Sequence, residues 1–252
     1  MEILVCVKRV PATGAKIVLT EDARAIETRN LGFTVSPHEE CAVEEAVQLV
    51  EKHGGSVTVL TLGEEAATQQ LRDALAVGAD KGILLQTDGS DWNPMATANA
   101  IVSATQTADD AFDLLLFGNE AADSGGYQVG VRVAHALDLP CVTGVKALEI
   151  AGETVTAKRE AGGGFEIYEV ALPAVMTVKE GINLPRYPSV PGRLRAKKKP
   201  LQVSEPQKLP GGLEMVKFVT PPEQGSATEI LGDGVTAVPR IAEILRELKF
   251  LE

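Results

Sequence analysis

Over the first 140 residues, short runs of β-branched and aliphatic residues alternate with longer stretches whose apolar positions recur at helical spacing, the pattern of parallel βαβ units. The apolar runs predict strands at residues 2–7, 56–62, 82–86 and 113–117. The clearest helix begins at Ser36-Pro37-His38-Glu39, where Ser36 can cap, Pro37 suits the first turn and Glu39 stands at the capping-box position. Ala42, Val43, Ala46, Val47 and Val50 then share one face until Gly54-Gly55. Further helices are predicted from Ala66 to Val77, from Pro94 to Thr105 and from Gln128 to Leu137. After Pro140 the rhythm changes to strands without intervening helices, at residues 142–150, 154–159, 165–171 and 174–178. Turn signals at Ala151-Gly152-Glu153 and Gly162-Gly163-Gly164 make antiparallel pairs the expectation.

From Lys179 to about Thr236 the chain carries eight of its fourteen prolines and little periodicity, poor material for a core. That stretch is expected on a surface or on another subunit. A last helix, from Ala237 to Leu251, places Val238, Ile241, Ile244, Leu245 and Leu248 on one stripe. The expected organisation is α/β: a domain over residues 1–200, followed by a Pro-rich arm and terminal helix over 201–252.

Charge narrows the partners. Lys and Arg number 24 against 35 Asp and Glu, a net charge of −11 that repels nucleic acid and anionic membrane over most of the surface. No apolar run is long enough to span a bilayer, and residues 2–7 are too short and too acidic at their start for a signal peptide. Three widely spaced cysteines, Cys6, Cys41 and Cys141, argue against a disulfide framework or a CxxC site and fit a reducing compartment. The three histidines form no HExxH and no metal-ligand spacing with cysteine, so no metal site is expected.

In an open parallel sheet the ligand crevice lies beyond the carboxyl ends of the strands, where strand order reverses. Cys6-Val7-Lys8, Ser36 to Glu39, Leu62-Gly63 and the segment from Gly118 all arrive there. The last runs Gly118-Asn119-Glu120-Ala121-Ala122-Asp123-Ser124-Gly125-Gly126-Tyr127-Gln128-Val129-Gly130 between a buried strand and a helix. Small residues let backbone N–H groups approach an anion, and the helix start adds a favourable dipole, so a phosphate is the natural occupant. The loop is neither GxxxxGK[ST] nor GxGxxG, and it reads equally as a plain Gly-rich connection. Taken singly, Cys6 reads as a small core residue, Glu39 and Glu40 as a cap and a solvated face, and His38 as a first-turn surface residue.

Arg193, Arg195, Lys197, Lys198 and Lys199 form a basic island in an acidic chain, preceded by Asn183-Leu184-Pro185-Arg186-Tyr187-Pro188-Ser189-Val190-Pro191. The prolines predict an extended loop with Val190 as an apolar tip and with charges that steer an acidic partner; a solvated basic loop is the plainer alternative.

As a set these residues resemble the β subunits of electron-transfer flavoproteins. The matching pieces are Val7-Lys8-Arg9-Val10, Ala42-Val43-Glu44-Glu45-Ala46, Ala74 to Asp80, the Gly118 to Gly130 loop, Leu172-Pro173-Ala174-Val175, Asn183 followed by Pro185-Arg186-Tyr187, and Ala196-Lys197-Lys198-Lys199. They fall in the family's order from residue 1 to about 200. The resemblance implies an open, mostly parallel sheet of the adenine-nucleotide-binding (HUP-like) type with added antiparallel strands. It implies a heterodimer with a larger α subunit that supplies most of the site for a redox-active FAD, and an arm reaching onto that subunit. It also implies a buried AMP without a redox role, contacted by Cys6, by Ser36, Pro37, His38 and Glu39, by Leu62, and by Gly118 through Val129.

A recognition loop at about 178–200 would anchor partner dehydrogenases, such as acyl-CoA dehydrogenases, through Val190, with Pro185, Arg186, Tyr187, Arg193, Arg195, Lys197 and Lys198 around it. Glu160 corresponds to an acidic residue that positions the mobile FAD domain. Electrons would pass on to a quinone oxidoreductase or another acceptor, in the cytoplasm of a prokaryote or the mitochondrial matrix of a eukaryote; no catalytic acid, base or nucleophile is expected. Ser36 replaces an Asn found in many members, and no flavin contact is assigned near Thr13. The run Asp123 to Gly130 lacks the Asn-Gln-Thr-Gly of AMP-type members and partly resembles electron-bifurcating relatives, whose β subunit holds a second FAD. A stand-alone adenine-nucleotide enzyme or sensor would use the same sheet and loop.

Overall fold

The computed structural model describes residues 1–108, 111–222 and 229–251; residues 223–228 and Glu252 of the expected C-terminal arm lie outside the described residues. The elements run β1 (Glu2–Cys6), β2 (Val10–Pro11), β3 (Phe33–Thr34), α1 (Pro37–His53), β4 (Ser56–Gly63), α2 (Thr68–Val77), β5 (Lys81–Gln86), α3 (Pro94–Gln106), β6 (Leu114–Gly118) and α4 (Val129–Ala136). They continue with β7 (Cys141–Ala151), β8 (Thr154–Ala161), β9 (Gly164–Ala171), β10 (Ala174–Val178), α5 (Val190–Ala196), β11 (Leu201–Ser204) and α6 (Val238–Glu247).

Nine strands form one sheet in the order β11-β5-β4-β1-β6-β10-β7-β8-β9. Every pair from β11 to β7 is parallel, and only β7 with β8 and β8 with β9 are antiparallel. The chain starts at β1, winds outward to β5, then returns through α3 to β6 on the other side of β1. Strand order therefore reverses at β1, and the carboxyl ends of β1, β4 and β6 border the crevice that such a reversal opens.

Burial on both faces of the central strands follows from their near-continuous aliphatic runs. Ile3, Val5, Leu114, Leu116, Ala174 and Met176 belong to the core shared with α1 and α2, whereas Leu4, Cys6, Leu115, Phe117 and Val175 belong to the core shared with α3 and α4. Cys6 is thus a packed core residue at the last position of β1.

Three expectations need correction. β10 does not close an antiparallel set: it inserts between β6 and β7, parallel to both, with all five residues buried. A strand buried on both faces belongs in the middle of a sheet rather than on a hairpin. The basic island is not an extended loop, because Val190–Ala196 is helical, with the Ser189 side chain accepting from Gly192 N–H at its start. The stretch after Lys179 is also not wholly outside the fold, since Leu201–Ser204 pairs with β5 and completes one edge of the sheet. The two Gly-rich turns do make tight hairpins; Gly162 and Gly163, at φ of +55° and +85°, supply the left-handed backbone that the two-residue turn between β8 and β9 requires.

The chain divides into two compact units, Met1–Lys217 and Phe218–Glu252. The second contains α6, preceded by a single turn of tighter helix at Gly234–Ala237. Arg240 on α6 pairs with Glu243 at 2.8 Å. Val238, Ile241, Ile244 and Leu245 share one stripe of that helix, which ends at Glu247 with Leu248 as its cap, short of the expected Leu251. Among the described residues no helix is long and apolar enough to cross a membrane, and no cluster of His, Cys, Asp and Glu could hold a metal ion.

Candidate functional site

The start of α1 and the end of β6 meet at the reversal point. Pro37 opens the helix, and the Glu39 carboxylate turns back to accept the Ser36 backbone N–H at 3.2 Å. The Ser36 hydroxyl, fully buried, donates to the Glu120 carbonyl at 3.2 Å. A Cβ on Gly118 would lie 2.6 Å from Glu39 Cγ and 3.2 Å from its backbone nitrogen, so only glycine lets the two segments approach this closely. Gly130 plays the same part at the start of α4, where a Cβ would press on Thr177 and Phe117 at 3.0 and 3.1 Å.

Glu39 is enclosed by this packing. Loss of water outweighs the help of the Lys8 and Ser36 backbone N–H groups, and its carboxyl is pushed up to about 8. The Cys6 thiol is raised well above its ordinary range, first by burial and then by the charge of Glu39, so it stays protonated and inert at neutral pH. The reading of His38 as a surface residue is corrected: its side chain is only 14% exposed, its Nδ1 accepts the Glu180 backbone N–H at 2.9 Å, and its Nε2 lies 3.3 Å from Glu120. Donation to Nδ1 leaves the ring proton on Nε2, facing Glu120.

Beyond Gly118 the loop is fixed at both ends and open in the middle. Asn119 donates its backbone N–H to Val178 at 2.8 Å and accepts the Thr177 hydroxyl on Oδ1 at 2.9 Å; Thr177 in turn accepts Gly144 N–H at 3.0 Å. Lys8, just past β1, pairs with Asp123 at 2.7 Å. An added Cβ on Gly125 or Gly126 would meet nothing within 4 Å, and Gly125 sits at φ +54°. Gln128 receives Arg132 from the next turn, and α4 begins at Val129. Small residues, open space and a helix start are what a phosphate-bearing mononucleotide needs.

Of the residues expected at the nucleotide, Ser36, Pro37, His38, Glu39, Gly118 and Glu120 are thus brought together. Cys6 lies beside them in the sheet, in register with Phe117 and Leu60. Leu62 is two residues further along β4 and packs into the α3 and α4 core. Asn119 and Tyr127 turn toward a neighbouring cavity of about 400 Å³, lined also by Val131, Thr143, Gly144, Arg159, Glu160, Thr177 and Lys179. Glu160 is held there by Lys179 at 3.1 Å, which keeps its carboxyl below the usual range. A second cavity of about 360 Å³, between α3 and the β5 and β11 edge, is lined by none of the expected site residues.

The remaining expected residues form a separate group along α1 and α2. After Glu180 meets His38, Asn183 donates to the Cys41 carbonyl at 3.0 Å and to Glu45 at 2.9 Å. Arg186 then grips Glu44, whose side chain is 3% exposed, with Nε at 2.9 Å, and Glu51 with Nη1 at 2.6 Å. These bonds hold the Arg186 guanidinium above its already high ordinary pKa. At 1.5 Å per residue, the two carboxylates lie about 10 and about 21 Å along α1 from Pro37. With the segment pinned, Tyr187 and Val190 remain 95% and 75% exposed, beside half-buried Pro185 and exposed Arg193, Arg195, Lys197 and Lys198. Sequence reading missed Thr177, the pairing of Lys8 with Asp123 and the partners of Arg186; Glu44 and Glu51, seven residues apart and so on one face of α1, were the available signal for the last.

A parallel sheet whose strand order reverses beside a closely packed Gly-rich loop, with a clamped segment that leaves apolar and basic groups exposed elsewhere, defines an open-sheet α/β protein. The electron transfer flavoprotein domain matches residues 24–209, and the chain belongs to that family. It is 36% identical to the electron transfer flavoprotein subunit beta of Bacillus subtilis over 253 residues, 98% of each chain. The corresponding subunit of Syntrophomonas wolfei subsp. wolfei is 36% identical over 247 residues, 98% of this chain and 96% of that one. That of Thermoanaerobacterium thermosaccharolyticum is 37% identical over 200 residues, 78% and 75% of the two chains. The chain is of the β-subunit type, and its role lies in electron transfer.

Proposed function

We propose that the chain pairs with a larger α subunit, which supplies most of the FAD site, and that the heterodimer accepts electrons from flavoprotein dehydrogenases such as acyl-CoA dehydrogenases and delivers them to a quinone oxidoreductase or another acceptor. The observation that carries this reading is the segment from Asn183 to Lys199: bound to α1 by Asn183 and Arg186 and to α2 by Lys199, it leaves Tyr187, Val190 and four cations exposed. Buried polar anchors with exposed apolar groups suit a surface made for a partner.

AMP fits the cradle at Ser36–Glu39 and Gly118–Val129, where its phosphate would meet the loop backbone and the start of α4. Glu160, now paired with Lys179, meets a cation on the FAD-bearing domain in this reading, and the Pro-rich arm with α6 docks on the α subunit. This chain supplies a platform, and the α-bound flavin supplies the redox chemistry. A second reading, FAD in place of AMP as in a bifurcating carrier, is favoured by the cavity beside Asn119 and Tyr127, which offers room for the other half of a dinucleotide.

Co-expression with a candidate α subunit tests the proposal. A yellow complex that passes electrons from a reduced acyl-CoA dehydrogenase to a dye supports it, and a colourless single chain that turns over ATP contradicts it. One flavin per heterodimer marks the AMP form, and two mark the alternative.

A further inference from the structure

Arg72 and Lys199 reach across between the C-terminal ends of α2 and α5. Arg72 on α2 donates from Nη1 to the carbonyls of Ala196 at 2.6 Å and Lys199 at 2.9 Å, at the end of α5. Lys199 donates from Nζ to the carbonyls of Leu75 at 3.2 Å, Gly78 at 3.3 Å and Ala79 at 2.5 Å, at the end of α2. The last carbonyls of a helix lack internal partners and carry the negative end of its dipole, so a cation satisfies both needs. α5 receives that cation from α2, and α2 receives it from the turn that follows α5. Gly192 brings the two together, because a Cβ there would stand 2.6 Å from the Ala76 carbonyl oxygen.

A seven-residue helix does not hold itself in water, so the orientation of α5 is set by these contacts. On its outward side Val190 and Leu194, four residues apart and 75% and 60% exposed, form one apolar face beside Arg193 and Arg195.

We propose that Arg72 and Lys199 are positioning residues for partner docking, holding α5 on α2 so that Val190 and Leu194 enter an acid-rimmed apolar pocket of the dehydrogenase as a pre-formed face. This rests on the docking reading above. Lys199 then contributes orientation, and the steering charge belongs to Arg193, Arg195, Lys197 and Lys198. Pre-organisation of this kind lowers the ordering cost of association, so its loss shows in affinity while electron transfer within the complex is unchanged.

The test titrates the αβ heterodimer with a medium-chain acyl-CoA dehydrogenase reduced by octanoyl-CoA. Arg72→Met is expected to raise the KM for the dehydrogenase about tenfold at unchanged kcat, with Arg72→Lys restoring part of the loss. Faster amide exchange confined to Val190–Ala196 accompanies the change. In a Val190→Ala background the same substitution adds less than about twofold, because the face it positions is already impaired. An unchanged KM for Arg72→Met, or losses that multiply fully in the double variant, overturns the positioning role. A wild-type heterodimer that the dehydrogenase does not reduce, or a Val190→Ala variant with wild-type KM, overturns the docking reading instead.

Discussion

At the Gly118–Gly130 loop backbone comes against backbone, and the site is made by what is missing: Gly118 and Gly130 have no side chain to keep α1, β6 and α4 apart. Along Asn183–Lys199 the reverse holds. Long side chains, those of Arg186, Arg72 and Lys199, cross to carboxylates and carbonyls and fasten a segment with little apolar surface to bury. A cradle formed by close approach is rigid and intolerant of added atoms, whereas a segment held by polar straps keeps its apolar residues free for a partner.

Adding atoms to the cradle has the largest expected effect. Gly118→Val forces β6 and α1 apart at Glu39 and should cost about 3 kcal/mol by thermal or denaturant unfolding, with loss of the nucleotide proposed there. Cutting a strap comes next: Arg186→Met leaves Glu44 buried without its cation, and about 2 kcal/mol is expected after allowing for the partial exposure of the pair. The nucleotide should be retained, which separates the two regions.

Glu39→Gln probes the cradle by pH. The native state holds a proton on Glu39 up to about 8, while the unfolded chain releases it near the ordinary 4.5, so the native state binds more protons between those values. Wild-type stability from this group therefore falls as pH rises through that window and levels off above it. Gln, which keeps the acceptor for Ser36 N–H, should gain in melting temperature relative to wild type between about pH 5 and about pH 8. A difference independent of pH contradicts the buried-carboxyl account. Val190→Ala is the smallest stability change, within about 0.5 kcal/mol, yet it should raise the KM for a dehydrogenase.

The contrast also explains what the sequence disclosed. β1, β4, β5 and β6 were legible because strands buried on both faces read as unbroken aliphatic runs, and the cradle was legible because their carboxyl ends and a Gly-rich loop mark a reversal point. β10 carried the same signature in Ala174–Val178, but two preceding hairpins suggested an antiparallel partner. α5 was not legible: Val190-Pro191-Gly192 reads as a loop, and the cation at its C-terminal end, Arg72, is 124 residues from Ala196 in sequence. Lys8 with Asp123 is separated by 115 residues, and no local pattern announces such a pair.

The most direct measurement is the release and chromatographic identification of nucleotides from the purified αβ heterodimer, wild type beside Gly118→Val. One FAD and one AMP per wild-type heterodimer are expected, with the AMP lost and the FAD kept in the variant. A wild-type heterodimer with no adenine nucleotide beyond the α-bound FAD, or an AMP unaffected by Gly118→Val, would contradict it.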